Sequence, residues 1–272
     1  MESSITLVIS TYNRPDALRL SLMSVCRQTT IPKEVIVADD GSGEATRKLV
    51  QEFQKTMPCP LKHAWHEDRG FRLAESRNNA VRNYCTGRYL IFVDGDIVME
   101  RHFIEDHARL ARKGYFVCGS RVLIGEQLTR KLISEQSIDI DRHSKGLKRS
   151  SNAMRLPWLT FVTRHAYFYK RFYGRGANMA MWRDDFAAVN GFDSDISGWG
   201  FEDTDIIIRL RNLGLKRNYA KFVAIEYHLY HKAADNTVDN WQLYESSLKK
   251  IECANGLVDK RPKAAQQRAE RP

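Results

Sequence analysis

Residues 88–96 read RYLIFVDGD: five apolar residues from Tyr89 to Val93, cut off by two aspartates around a glycine. A run this short, β-branched and aromatic, without polar alternation, predicts a strand buried on both faces. Three more segments match it: ITLVIS (5–10), EVIVADD (34–40) and LKHAWHE (61–67). Between them lie helix signals. Pro15 suits a first helical turn, and Leu18, Leu22 and Val25 then share a face. Thr46 to Lys55 reads as a helix closed by Pro58, and Leu73 to Tyr84 as another. Strand–helix alternation with buried strands predicts an α/β fold, a mainly parallel sheet flanked by helices. In open α/β sheets ligands gather beyond the carboxyl ends of the strands. Here those ends carry Thr11, Asp39-Asp40-Gly41-Ser42, Asp68-Arg69-Gly70 and Asp94-Gly95-Asp96. So many carboxylates repel one another unless a cation or an anionic ligand with basic partners joins them.

Asp94 and Asp96 are hard oxygen ligands at a spacing that suits Mg²⁺ or Mn²⁺ beside phosphates, although solvated turn aspartates have the same pattern. Arg77 falls on the helix face of Leu73, Ala80, Val81 and Tyr84. A buried arginine needs an anion, either a pyrophosphate or one of Asp39, Asp40 and Asp68. Residues 190–214, NGFDSDISGWGFEDTDIIIRLRNLG, form a glycine-rich turn entering a helix with Ile206, Ile207, Leu210 and Leu213 on its apolar face. Glu202 and Asp203 open that helix. They are either ordinary partners of the helix dipole or a general base held ionised by it. Trp199, between Gly198 and Gly200, offers a plate for a sugar. YAKFVAIEYHLYH (219–231) reads as a strand ending in His228 and His231, either of which is structural or a metal ligand.

The 272 residues, 43% of them hydrophobic, suffice for one core or a core with a small lobe. The polar run from Asn255 to Pro272 reads as a disordered tail. No apolar run approaches a membrane span and the N-terminus lacks a signal-peptide pattern, so a cytoplasmic protein is expected. Cys26, Cys59, Cys85, Cys118 and Cys253 show neither disulfide nor metal spacing. A net charge of +10 attracts polyanions. The mixture of basic and aromatic residues over 155–175 suggests peripheral contact with an anionic membrane.

In this order the motifs resemble glycosyltransferase family 2 and its GT-A relatives over residues 5–231. VISTYNRPDAL (8–18) is similar to the family's opening strand and loop, which implies donor contacts from Thr11, Asn13 and Arg14. VIVADDGS (35–42) resembles the uracil and ribose segment and points to Asp40, with Asp39 beside it. DRGFRLAESRNNAV (68–81) resembles the pyrophosphate side, with Asp68, Arg72 and Arg77. FVDGD (92–96) resembles the D-x-D motif, giving Asp94, Gly95 and Asp96. NGFDSDISGWGFEDTD (190–205) is similar to the acceptor motif of β-1,4-galactosyltransferases and chondroitin polymerases. That implies Trp199 and Gly200 as acceptor platform, Glu202 as acceptor contact and Asp203 as base, with Phe201 where the pattern has glycine. HLYHK (228–232) resembles the late histidine segment of polypeptide GalNAc-transferases, favouring His228 over His231 as metal ligand.

The resemblance implies one GT-A domain over 1–254, with a nucleotide-sugar half (1–118) and an acceptor half (119–254). It implies inverting transfer from a UDP-sugar to a saccharide, lipid-linked or free, with Mn²⁺ or Mg²⁺. The rival readings are a metal-dependent nucleotidyltransferase, which has no use for the Trp199–Asp203 turn, and a nucleic-acid-binding module. No nucleic-acid motif accompanies the charge, and no GxGxxG follows the first strand.

Overall fold

The computed structural model describes residues 4–160, 176–196, 198, 200–232 and 245–262. The predicted alternation is present as β1 (Ile5–Thr11), α1 (Pro15–Cys26), β2 (Glu34–Asp39), α2 (Glu44–Gln54), β3 (Leu61–Trp65), α3 (Leu73–Tyr84) and β4 (Tyr89–Asp94). Then come β5 (Ile97–Met99), α4 (Phe103–Leu110), β6 (Tyr115–Gly119), β7 (Arg121–Ile124), α5 (Glu126–Ser134) and β8 (Leu147–Lys148). The rest is β9 (Met179–Trp182), α6 (Arg183–Ala188), α7 (Glu202–Asn212), β10 (Lys216–Ala220) and β11 (Glu226–His228).

The main sheet has the order β10-β6-β9-β4-β1-β2-β3. β9 alone runs against its neighbours β4 and β6. Strand periodicity divides its core in two. Leu7, Ile9, Val35, Val37, Ile91 and Val93 face Leu18, Leu22, Leu49 and Phe53 of α1 and α2. Val8, Ile36, Leu90 and Phe92 face Ala80 and Val81 of α3 and Ile206 and Leu210 of α7. A second sheet, β5-β11-β7-β8, leaves the end of β4 and covers a smaller cluster containing Val98, Val122 and Tyr227.

Two sequence expectations change. The strand expected over 219–231 is two strands in different sheets, β10 and β11. Phe222 and Ala224 between them have φ of 65° and 48°, which turns the chain out of the main sheet. Asp106 accepts the Ala224 N–H at 3.0 Å and Asn178 donates to its carbonyl at 3.0 Å, so tertiary partners hold that turn.

The tail expected to be disordered from 255 starts as an ordered strap. Leu257 N donates to the Asn190 carbonyl at 2.8 Å, Val258 N donates to Asn190 Oδ1 at 2.9 Å, and Arg82 Nε donates to the Leu257 carbonyl at 2.7 Å. Its attachment is through backbone hydrogen bonds, which a polar composition does not reveal. Residues 263–272 lie outside the described residues, as do 161–175 of the basic aromatic segment. No helix among the described residues is long and apolar enough to cross a membrane, and the cysteines are free.

Candidate active site

The carboxyl ends of β1 and β4, the turn Gly176–Asn178, the start of α7 and the end of β11 enclose a cavity of about 610 Å³. Register places Ser10 beside Asp94. Both lie on the α3 face of the sheet, as does Asp40, whereas Asp39 lies on the other. Arg77, only 1% exposed, therefore reaches Asp94 (2.9 Å) and donates to Ser10 Oγ (3.0 Å). Its second ion-pair partner is Glu202 at 3.9 Å. The partner is none of Asp39, Asp40 and Asp68, because the strand pleat and the depth of α3 put Asp94 under the guanidinium. Gly176 permits this. A Cβ there would meet Arg77 Nη1 at 2.8 Å, closer than real side chains approach.

Asp96 is buried one residue beyond the glycine. His228 Nε2 lies 3.6 Å from its Oδ1 and His231 Nε2 3.5 Å from its Oδ2. The ligand atoms of these three residues lie within 4.8 Å of one another. Among the described residues the group that could hold a cation is Asp96 with both histidines; Asp94, expected to share the ion with Asp96, is not in it and instead pairs with Arg77. Asp96 Oδ1 is buried and has no hydrogen-bond partner among the described residues, and an N₂O donor set suits Mn²⁺ better than Mg²⁺. Burial lowers the His228 pKa against the pull of Asp96, which favours the neutral imidazole with a free lone pair. Partial burial and the neighbouring Asp96 push the Asp94 carboxyl up, with Arg77 opposing.

Opposite stands the first turn of α7. Phe201 precedes it with φ 74°, the left-handed region where glycine is at ease, which matches the glycine of the family pattern at this position. Glu202 is pushed up to about 7 by burial and by Asp203, with Arg77 opposing, and its Oε2 has no hydrogen-bond partner among the described residues. Asp203 Oδ2 accepts the Gly176 N–H at 3.2 Å. Trp199 lies outside the described residues. Thr11, Arg14, Asp40, Gly95 and Gly200 line the cavity as expected. Burial pushes the Asp40 carboxyl up to about 6, against the Arg72 N–H donated to it at 2.7 Å.

Three expected donor residues do not line the cavity. Asn13 instead receives the Gly43 N–H at 2.9 Å, joining the loops after β1 and β2. Asp68 accepts the Tyr12 hydroxyl at 2.8 Å. Arg72 reaches the site through its backbone, while its side chain lines a neighbouring cavity. Residue types alone missed Ser10, Tyr12, Phe71 and Arg121, all of which line the cleft. They missed His107 too: it is fully buried, pushed down to about 4 by burial, and its Nε2 meets Asn178 Oδ1 at 3.0 Å beneath the Gly176 turn. Its place four residues after Phe103, on the buried face of α4, was the available signal.

Comparison with known proteins bears on the family and the fold. The description "Glycosyl transferase family 2" matches residues 6–186, and "N-terminal domain of galactosyltransferase" matches 162–232. Validoxylamine A glucosyltransferase of Streptomyces hygroscopicus subsp. limoneus is 26% identical over 78% of this chain and 48% of its own. Chondroitin synthase of Escherichia coli is 26% identical over 86% of this chain and 36% of its own. The chain thus spans about half or less of the length of these relatives. A mannosyltransferase from Pyrobaculum calidifontis, solved with GDP-Man and Mn²⁺, superposes with a TM-score of 0.57 at 18% identity, covering 89% of this chain and 61% of that one. The fold is GT-A. With a family match across two-thirds of its length, the chain belongs to glycosyl transferase family 2.

Proposed function

We propose that this chain is an inverting, metal-dependent glycosyltransferase moving a hexosyl or hexosaminyl group from a UDP-sugar to a saccharide acceptor. The observation that carries the reading is the two-walled cleft. Asp96, His228 and His231 form one wall, Glu202 and Asp203 the other, and the buried Arg77 sits between them. Residues Asp96, His228 and His231 would hold the divalent cation, which supplies charge neutralisation for a departing diphosphate. Arg77 places a fixed positive charge in the cleft, where its Nη1 lies 3.9 Å from Glu202 and has no hydrogen-bond partner among the described residues, which suits an anionic diphosphate close by. Asp40 and Tyr12 flank the entrance on the β2 side, where the nucleoside would lie.

Across the cleft, Asp203 accepts the proton of the attacking hydroxyl. Glu202, partly protonated near neutrality, orients that hydroxyl. The Gly176 N–H anchors the Asp203 carboxylate so that its remaining lone pairs face the acceptor. The basic segment 155–175 and the net charge favour an anionic or lipid-linked saccharide as acceptor.

The deciding experiment is a nucleotide-release screen over UDP-sugars, with GDP-mannose included because a structural relative binds it, run with Mn²⁺ and with EDTA. Release of UDP that needs the metal is expected. Asp96→Ala should abolish it without unfolding the protein. Asp203→Asn should lower turnover by roughly 10²–10⁴-fold with UDP binding unchanged. Full activity in EDTA would overturn the metal role, and near-normal turnover in Asp203→Asn would move the base to Glu202.

A further inference from the structure

The two aspartates of the Asp94-Gly95-Asp96 turn are each paired with an arginine, and the two arginines differ. Arg77 is 1% exposed and is tied to Ser10 as well as Asp94. Arg14, at the N-terminus of α1, keeps 36% of its side chain exposed and places Nη1 2.6 Å from Asp96 Oδ2. Among the described residues Asp96 is the only hydrogen-bond partner of the Arg14 side chain. Arg14 lines the same cavity as Arg77, Glu202 and the two histidines. One carboxylate oxygen thus faces a guanidinium at 2.6 Å and an imidazole nitrogen at 3.5 Å.

We infer that Arg14 is a built-in counter-ion of the metal site, which competes with the divalent cation for Asp96 and is drawn away by the donor diphosphate. This deepens the proposed function and rests on its metal reading. A divalent cation on Asp96 would stand beside the Arg14 guanidinium, and like charges so close repel. The guanidinium must therefore leave for the cation to bind well. Its single-nitrogen contact and its exposure let it rotate, whereas Arg77 is locked. A diphosphate brought beside Asp96 offers Arg14 a better partner, because the guanidinium fork matches phosphate oxygens. Nucleotide and cation then promote each other's binding, since each removes a charge that opposes the other. Before loading, Asp96 is neutralised by the chain itself, so the empty site discriminates against cation binding without nucleotide. By linkage the coupling is reciprocal.

Calorimetric titration with Mn²⁺, with and without UDP, tests this in the wild type and in Arg14→Met, Arg14→Lys and Asp96→Asn. Without UDP, Arg14→Met should bind Mn²⁺ about tenfold more tightly than the wild type, within the usual range of such couplings. The tightening that UDP produces in the wild type should shrink in Arg14→Met. Arg14→Lys keeps the charge and should stay close to the wild type. Equal or weaker Mn²⁺ binding by Arg14→Met in the absence of UDP overturns the counter-ion role. Asp96→Asn separates the two ideas: it should lose Mn²⁺ binding, and wild-type Mn²⁺ affinity in that variant would overturn the metal site itself.

Discussion

Buried charge is the residue-level feature with the most to say about this molecule. Arg209 and Asp205 are both 1% exposed, are paired within α7, and hold the turn at 189–191 through the Val189 and Gly191 carbonyls at 2.6 and 2.8 Å. Asp193, two residues beyond that turn, is compensated less, by the Asp195 N–H and the more distant charge of Arg209. Burial and the neighbouring Asp205 push it up to about 6. A carboxyl raised above its unfolded value is well tolerated while protonated, at or below pH 4. It destabilises the fold increasingly as pH rises through 4 to 6, and fully above that. Asp193→Asn retains the oxygen that accepts the Asp195 N–H and removes the charge. It should raise stability by about 2 kcal/mol at pH 8 and change little at pH 4. Thermal melts of both proteins across that range check it, and an equal shift at both ends would refute it.

At the level of elements, the start of α7 depends on what grips the turn before it. Asn78 of α3 accepts the Phe192 N–H at 2.9 Å and donates to the Phe192 carbonyl at 2.8 Å. The strap 253–261 grips the same loop from outside. The Asn255 carbonyl accepts the Ser194 N–H at 2.7 Å, and Arg261 pairs with Asp195 at 2.9 Å. Asn190 fastens the strap, donating to the Cys253 and Val258 carbonyls and accepting the Val258 N–H. Its φ is 59°, a conformation asparagine tolerates better than alanine. Asn190→Ala removes the side-chain bonds and strains the backbone, so a loss of about 3 kcal/mol is expected. Asn190→Gly keeps the backbone at ease and should lose less. Denaturant melts and hydrogen exchange over 253–261 read the result; unchanged exchange in Asn190→Ala would show that the strap is held elsewhere.

For the whole molecule, the site is a seam between two sheets. The main sheet contributes Ser10, Asp40 and Asp94, and β11 of the smaller sheet contributes His228, so neither sheet alone completes the cleft. The same scale sets the long-range field. A net charge of +10 in 272 residues draws the protein towards anionic surfaces. Co-sedimentation with phosphatidylserine-containing vesicles is expected at low salt and should fall as salt shortens the screening length. Replacing Arg164, Lys170 and Arg171 by serine should weaken it while leaving UDP binding intact. Equal sedimentation with neutral vesicles would remove the electrostatic argument for an anionic acceptor.

By itself the sequence determined the α/β alternation, the limits of α3 to the residue, and the turn Asp94-Gly95-Asp96 at a strand end. These rest on local rules: strand and helix periods, and proline at a helix start. It also marked Arg77 as buried, because the helical period needs only neighbours along the chain. Which acid would face Arg77 was decided by tertiary structure, since sheet register and the depth of α3 separate Asp94 from Asp39, Asp40 and Asp68. The split of 219–231 and the strap at 253–261 were likewise tertiary, as both depend on hydrogen bonds to residues far away in sequence. The resemblance already pointed to His228 beside Asp94 and Asp96; that both histidines reach Asp96 together is a tertiary result. More than 130 residues separate the aspartate from the first histidine. Only the antiparallel pairing of β11 with β5, which sets His228 opposite Ile97, brings them together.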